Sequence, residues 1–208
     1  RDVKLTEAVY ADRPGLLAAV RAEGGRRQIG MATLDGDKPL SELETPADAS
    51  PTDEIAFSAD GRLLVFAGRQ AYLRDLSGAA EWRPLAGNVG RIENPVFSED
   101  GRWLAGVAGS AVLVWDLKSG TPPRRQEIPP GTASAERVIR FSPDGKLLAV
   151  AGGKELTVLK TANLERIGPR IGAPTTVVFD NFSDFTFIGA GSVRVLYAND
   201  VFDVDPAS

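Results

Sequence analysis

The segment that decides the fold of this chain is Ile139-Arg-Phe-Ser-Pro-Asp-Gly145. Two similar segments stand earlier, at Ile55-Ala-Phe-Ser-Ala-Asp-Gly61 and Pro95-Val-Phe-Ser-Glu-Asp-Gly101. Their Phe-Ser-x-Asp-Gly elements begin at residues 57, 97 and 141, so they lie 40 and then 44 residues apart. An Asp-Gly pair between apolar runs is typical of a hairpin, because Asp caps its own turn and Gly adopts positive φ without steric cost. The recurrence predicts a repeat protein.

Two weaker copies extend the repeat to both ends of the chain. One ends at Phe179-Asp180, 38 residues after Phe141, and the other is Val9-Tyr-Ala-Asp-Arg-Pro-Gly15, with Tyr10 47 residues ahead of Phe57. We therefore expect residues 1–208 to form a single domain of five similar units. The expected units cover residues 7–45, 53–86, 93–128, 137–168 and 175–205.

The sequence of each unit predicts four short strands. After the Asp-Gly comes a continuous apolar run, such as Leu63–Ala67 or Leu147–Ala151, and a second run follows a Gly-containing break. A polar turn and a weaker strand interrupted by Arg, Glu or Pro complete the unit. A strand whose residues are apolar without alternation is expected to be covered on both faces. The charged residues and proline of the weak outer strand indicate an edge that faces solvent.

Four strands recurring about every 40 residues are typical of a β-propeller. In that all-β fold each four-stranded antiparallel blade lies between two neighbours, which accounts for the covered faces. We expect about five blades in this chain, as a complete small ring or as an arc of a larger one. An open, flat-stacked solenoid is the alternative.

The units resemble blades of the WD-repeat family, in particular divergent bacterial-type blades. The resemblance rests on Val112-Leu-Val-Trp-Asp-Leu-Lys-Ser-Gly120, with its Trp-Asp ending, and on Phe141-Ser-Pro-Asp-Gly145. Only one copy ends in Trp-Asp, and with no His in the chain the family's Asp-His-Ser-Trp hydrogen-bond network cannot form. The resemblance implies a non-catalytic scaffold for protein-protein interaction, or a sensor module of a larger polypeptide.

WD-repeat propellers usually close by pairing an N-terminal strand with the last blade. Val3 and Leu5 alternate with charged neighbours ahead of the first unit. We therefore expect residues 2–6 to complete or extend the final blade of a five-bladed ring. The competing hypothesis is an arc of a seven- or eight-bladed ring that pairs with further blades.

Composition excludes several functional classes. The 208 residues contain neither Cys nor His, so disulfides, zinc fingers, catalytic imidazoles and thiol nucleophiles are ruled out. Lys and Arg number 24 against 28 Asp and Glu, and this net charge of −4 disfavours nucleic-acid binding. No apolar run reaches the roughly 18 residues of a membrane helix. We expect a cytoplasmic protein, with an exported protein whose signal peptide has been removed as the alternative.

The sequence predicts no cofactor or metal. Gly152-Gly-Lys-Glu155 lacks the spacing and the following helix of a phosphate-binding loop. The acidic residues Asp200, Asp203 and Asp205 lack the glycine and terminal Glu of a calcium-binding loop. The recurring Asp of each turn, at positions 60, 100 and 144, is interpreted as a turn-former. An enzyme of glycoside hydrolase or lyase type, with carboxylates drawn from different blades, remains the alternative function.

The family pattern implies a binding surface on one end face, built from the loops that follow the second and fourth strands. In this chain those loops include segments 22–27, 68–69, 87–93, 152–155 and 168–174. They carry the candidate partner-binding residues Arg26, Arg27, Arg69, Arg91, Lys154 and Arg170. Clustered Arg suits recognition of acidic peptides or of a partner domain.

Overall fold

The protein consists of β-strands throughout the part of the chain that its computed structural model describes. The described residues are 4–11, 16–23, 26–33, 41–48, 54–78, 81–87, 90–128, 137–152, 155–172, 184–189, 191–197 and 200–205. Within these segments there is no helix, so the predicted all-β class is confirmed. Accordingly, none of them contains a helix long and apolar enough to cross a membrane.

The strands form five antiparallel sheets that follow one another along the chain. Four sheets have four strands, in the orders β1-β2-β3-β4, β5-β6-β7-β8, β9-β10-β11-β12 and β13-β14-β15-β16, and the fifth has β17-β18-β19. The strand bounds are β1 (Lys4–Ala11), β2 (Leu16–Glu23), β3 (Arg26–Thr33), β4 (Ser41–Glu44), β5 (Glu54–Phe57), β6 (Leu63–Ala67), β7 (Tyr72–Asp75), β8 (Arg83–Pro84), β9 (Glu93–Phe97), β10 (Trp103–Ala108), β11 (Ala111–Asp116), β12 (Arg124–Glu127), β13 (Val138–Phe141), β14 (Leu147–Gly152), β15 (Glu155–Lys160), β16 (Arg166–Gly172), β17 (Asp184–Ile188), β18 (Ser192–Tyr197) and β19 (Asp200–Val204).

The N-terminal segment belongs to the first sheet, which differs from the closure expected of residues 2–6. Lys4 and Leu5 are part of β1 and pair with Ala22 and Arg21 of β2. The pairing is a hairpin, which forms more readily than a contact between the two ends of a chain because only a short loop has to close. Residues 2 and 3 lie outside the described residues, as does segment 173–183, where the first strand of the fifth unit is expected.

The Phe-Ser-x-Asp-Gly motif forms the same turn in the second, third and fourth sheets. In the fourth sheet the buried Ser142 hydroxyl donates to Asp144 Oδ1 at 2.7 Å and accepts from the Leu147 amide at 2.9 Å. Gly145 has φ of +68°, a conformation that favours glycine. Ser58 and Ser98 make the same pair of hydrogen bonds in their sheets. The motif is therefore a turn held by its own side chains.

Consecutive sheets pack face to face, with a hydrophobic cluster between each pair. In β10, Leu104 contacts the second sheet while Trp103 and Val107 contact the fourth. In β14, Leu148 packs toward the third sheet and Ala149 toward the fifth. A further cluster joins the first and second sheets. Both faces of the inner strands of the second, third and fourth sheets are thus covered, which explains their continuous apolar sequence.

The Trp-Asp pair of the third sheet links neighbouring elements. The Trp115 ring lies in the cluster between the second and third sheets, and its Nε1 donates to the Ala86 carbonyl at 3.0 Å. Asp116 accepts from Arg102 Nη2 at 2.9 Å. The Trp thus fixes one sheet against the preceding one, and the Asp fixes a strand to the turn beside it.

The first strands of successive sheets lie next to one another along one side of the stack. β1 contacts β5, β5 contacts β9 and β9 contacts β13, while β13 also contacts β17, the first described strand of the fifth sheet. Among the described residues, no hydrophobic cluster joins the fifth sheet to the first. The observed architecture is therefore a sequential stack of antiparallel sheets.

Candidate interaction surface

One end of the stack brings together the turns after the second strands and the residues that lead into the first strands. The Ile92 amide donates to the Gly68 carbonyl at 2.8 Å, which joins the start of the third sheet to a turn of the second. Arg137 Nη1 donates to the Gly109 carbonyl at 2.6 Å and joins the fourth sheet to the third in the same way. We call this end, formed by residues 54, 68–70, 90–94, 109–110 and 137, the arginine end.

Two of the predicted binding residues lie together at the arginine end. Arg69 is exposed in the turn after β6, and Arg91 is partly exposed just before β9. Each is adjacent to a partner of the hydrogen bond between Gly68 and Ile92. Their backbones are thus held against each other across two sheets.

The other four predicted residues are only partly located. The backbones of Arg26 and Arg27 lie in β3 and that of Arg170 lies in β16, so these residues belong to strands rather than to the expected loops. Arg26 pairs with Glu23 at the last position of the pairing between β2 and β3, which corresponds to the end of the pairing between β6 and β7 near Arg69. Lys154 lies outside the described residues.

The arginine end is electrostatically mixed. Arg91 Nε contacts Glu93 Oε1 at 3.1 Å. Glu54 is partly buried beside this pair, and its carboxylate accepts a hydrogen bond from the Asn94 amide at 2.8 Å. Burial raises the pKa of Glu54, and the Asn94 amide opposes that rise. Part of the positive charge expected at this end is therefore balanced by nearby carboxylates.

Arg137 is a component of this end that the sequence analysis missed. Its side chain is only 7% exposed, and its guanidinium is held by the Gly109 carbonyl. A side chain at Gly152 would meet Arg137 Cγ at 3.0 Å, so that glycine leaves room for the arginine. A glycine inside a strand signals such a close approach, but it does not identify the approaching residue.

A cavity of about 310 Å³ lies between the third and fourth sheets at their outer strands. β12 forms one side, and β15 and β16 form the other. Buried Leu159 and Leu164 line its apolar part, and Glu127, Glu165 and Arg166 line its polar part. Both carboxylates are engaged, since Glu127 accepts from Ser110 and Arg125 while Glu165 accepts from Lys160.

The described residues contain no group of three or more acidic side chains arranged to hold a metal ion. In the acidic C-terminal segment, Asp203 is paired with Arg194 at 2.8 Å. This ion pair lowers the pKa of Asp203 and occupies its oxygens.

Comparison with known proteins gives no relative from which a role could be taken: no protein-family model matches the chain, and no curated protein matches it.

Proposed function

We propose that the chain is a WD-repeat-like β-propeller unit that acts as a non-catalytic scaffold or sensor module and binds a protein partner through its arginine end. The sequence resemblance to WD-repeat blades and the face-to-face order of the sheets support the architecture. Opposite its packed face the fifth sheet exposes Ile188 and Val201 together with Thr186 and the ion pair of Arg194 and Asp203. This partly apolar surface supports contact with a further sheet.

The observation that carries the binding role is the joint presentation of Arg69 and Arg91. Loops that are mounted on packed sheets keep fixed relative positions, so a partner meets a preorganised surface. Arginine binds carboxylates with two parallel hydrogen bonds and is enriched at the energetically dominant positions of protein interfaces. A partner with acidic side chains fits this surface best.

The acidic residues at the rim of the cavity do not suit the alternative carboxylate enzyme at that position. A glycosidase of that kind needs one carboxyl group whose pKa is raised, so that it can act as a general acid. The Ser110 hydroxyl and Arg125 lower the pKa of Glu127. Lys160 and Asn163 lower that of Glu165. Both groups are therefore ionised at neutral pH.

The test is retention of partner proteins from an extract of the source cells by the immobilised chain. Combining Arg69→Glu with Arg91→Gln should reduce retention of a specific partner by about tenfold or more, because interface arginines often contribute over about 1.4 kcal/mol. Retained proteins are quantified by mass spectrometry.

The matched control combines Lys118→Glu with Lys146→Gln, which makes the same charge change at exposed positions near the opposite end. It should retain the partner like the wild type. Equal retention by both double variants, with unchanged melting temperatures, would contradict the proposal.

A further inference from the structure

The outer strand of the third sheet is an open edge. β12 pairs with β11 on one side and ends the sheet order on the other, and all four of its residues are exposed. Such an edge presents unpaired amides and carbonyls to solvent. Among the other outer strands, β8 and β16 contain Pro84 and Pro169, which cannot donate to an added strand, whereas β4 and β19 contain no proline. β12 contains no proline.

The cavity described above runs beside this edge. It opens where the pairing of β15 and β16 shifts, from Val158 opposite Ile167 to Leu156 opposite Ile171. The shift puts extra residues into β16 opposite Thr157, and Thr157 and Gly168 line the cavity together with Leu159 and Leu164. Its volume of about 310 Å³ is near the lower limit of ligand pockets, about 300–1,000 Å³. The space therefore suits the side chains of a short segment.

The charges around the cavity favour an anionic ligand. The two rim carboxylates already accept from cations of their own sheets, at 2.6 Å for Arg125 to Glu127 and 2.7 Å for Lys160 to Glu165. Arg166 lies exposed on the rim, and within the described residues its side chain makes no hydrogen bond or ion pair. A second cation, Arg124, lies at 5.5 Å over the Trp103 ring on the face of β12 that points to the fourth sheet.

We propose that this rim cavity binds an extended acidic peptide segment of a partner protein, which adds as a strand to β12. The backbone of the peptide pairs with the free edge, the mode known as β-strand addition. One carboxylate of the peptide binds Arg166, and an alternating apolar side chain covers Leu159 and Leu164. The proposal does not use Arg69 or Arg91 and does not depend on the function proposed for the arginine end.

The test uses a short fluorescein-labelled peptide of alternating aspartate and leucine, followed by fluorescence anisotropy with the full chain. We expect saturable binding that weakens with salt, and at least tenfold weaker binding by Arg166→Glu. Arg166→Lys keeps the charge and should lose less. Arg83→Glu, which makes the same charge change on the exposed outer strand of the second sheet, should bind like the wild type. Melting temperatures check that each variant is folded.

Two altered peptides separate the contributions of the ligand. Replacing each aspartate by asparagine should weaken binding about as much as Arg166→Glu does. Methylating the backbone nitrogens of the peptide should abolish binding, because strand addition needs those donors. Wild-type affinity of Arg166→Glu, or undiminished binding of either altered peptide, would overturn the proposal. A signal that arises only from self-association of the chain would overturn it as well.

Discussion

The serine of the Phe-Ser-x-Asp-Gly motif holds each turn together. Each of the three copies is buried, and its hydroxyl links the aspartate of the turn to the first amide of the next strand. The sequence predicted the turn, the role of the aspartate and the positive φ of the glycine, and the structure confirms these three points. It did not predict the contact between turns of neighbouring sheets, because such a contact depends on tertiary packing.

Gly145 is the residue at which the turn assignment can be tested. A side chain there would need a left-handed conformation and would lie 3.6 Å from Ser98 Cβ of the preceding sheet. We expect Gly145→Val to lower the free energy of unfolding by about 1 kcal/mol or more. Gly78→Val is the control, since nothing lies within 4 Å of a side chain there. Equal urea midpoints for the two variants would show that the turn assignment is wrong.

At the scale of the strands and turns, the sequence predicted which strands are covered on both faces, but not the local irregularities in strand pairing and packing. Continuous apolar runs indicated strands covered on both sides, and the clusters on either side of β10 and β14 confirm this. The bulge in β16 and the position of Arg137 were missed. Both depend on how neighbouring sheets pack against each other, and this packing cannot be deduced from a single sequence.

The turns should also make stability depend on pH. The Ser58 hydroxyl lowers the pKa of Asp60, and the Ser142 hydroxyl lowers that of Asp144. Groups with a lowered folded pKa stabilise the protein above their unfolded value, about 3.9, and this contribution is lost as the pH falls through the folded value. We therefore expect the melting temperature to fall below about pH 4.

Removing both carboxylates should reduce that dependence. The double variant Asp60→Asn with Asp144→Asn should melt lower than the wild type at pH 7 and show a flatter decline below pH 4. Glu99→Gln, an exposed carboxylate in the same kind of turn, controls for the loss of negative charge. A double variant that keeps the wild-type pH profile would contradict the role of these turns.

At the scale of the whole molecule, the repeat predicted a stack of similar sheets, and four sheets have the expected four strands. The sequence could not define how the ends of the stack are arranged. Residues 4 and 5 pair within the first sheet, because a local hairpin is available to them. Likewise, the arginine end could be located only in part, since its charge balance depends on Glu54 and Glu93 from neighbouring sheets.

The stacking order of the sheets is tested most directly by engineered disulfides, because the chain contains no cysteine of its own. A side chain at Gly145 lies 3.6 Å from Ser98 Cβ, within the 3.5–4.5 Å typical of disulfides. The pair Ser98→Cys with Gly145→Cys should therefore oxidise within one chain. The pair Ser58→Cys with Gly145→Cys, which carries the same strain at Gly145 but skips a sheet, should not. Mass spectrometry and non-reducing gels distinguish these products. Formation of the second disulfide as readily as the first, or failure of the first in a folded protein, would contradict the sequential stacking of the sheets.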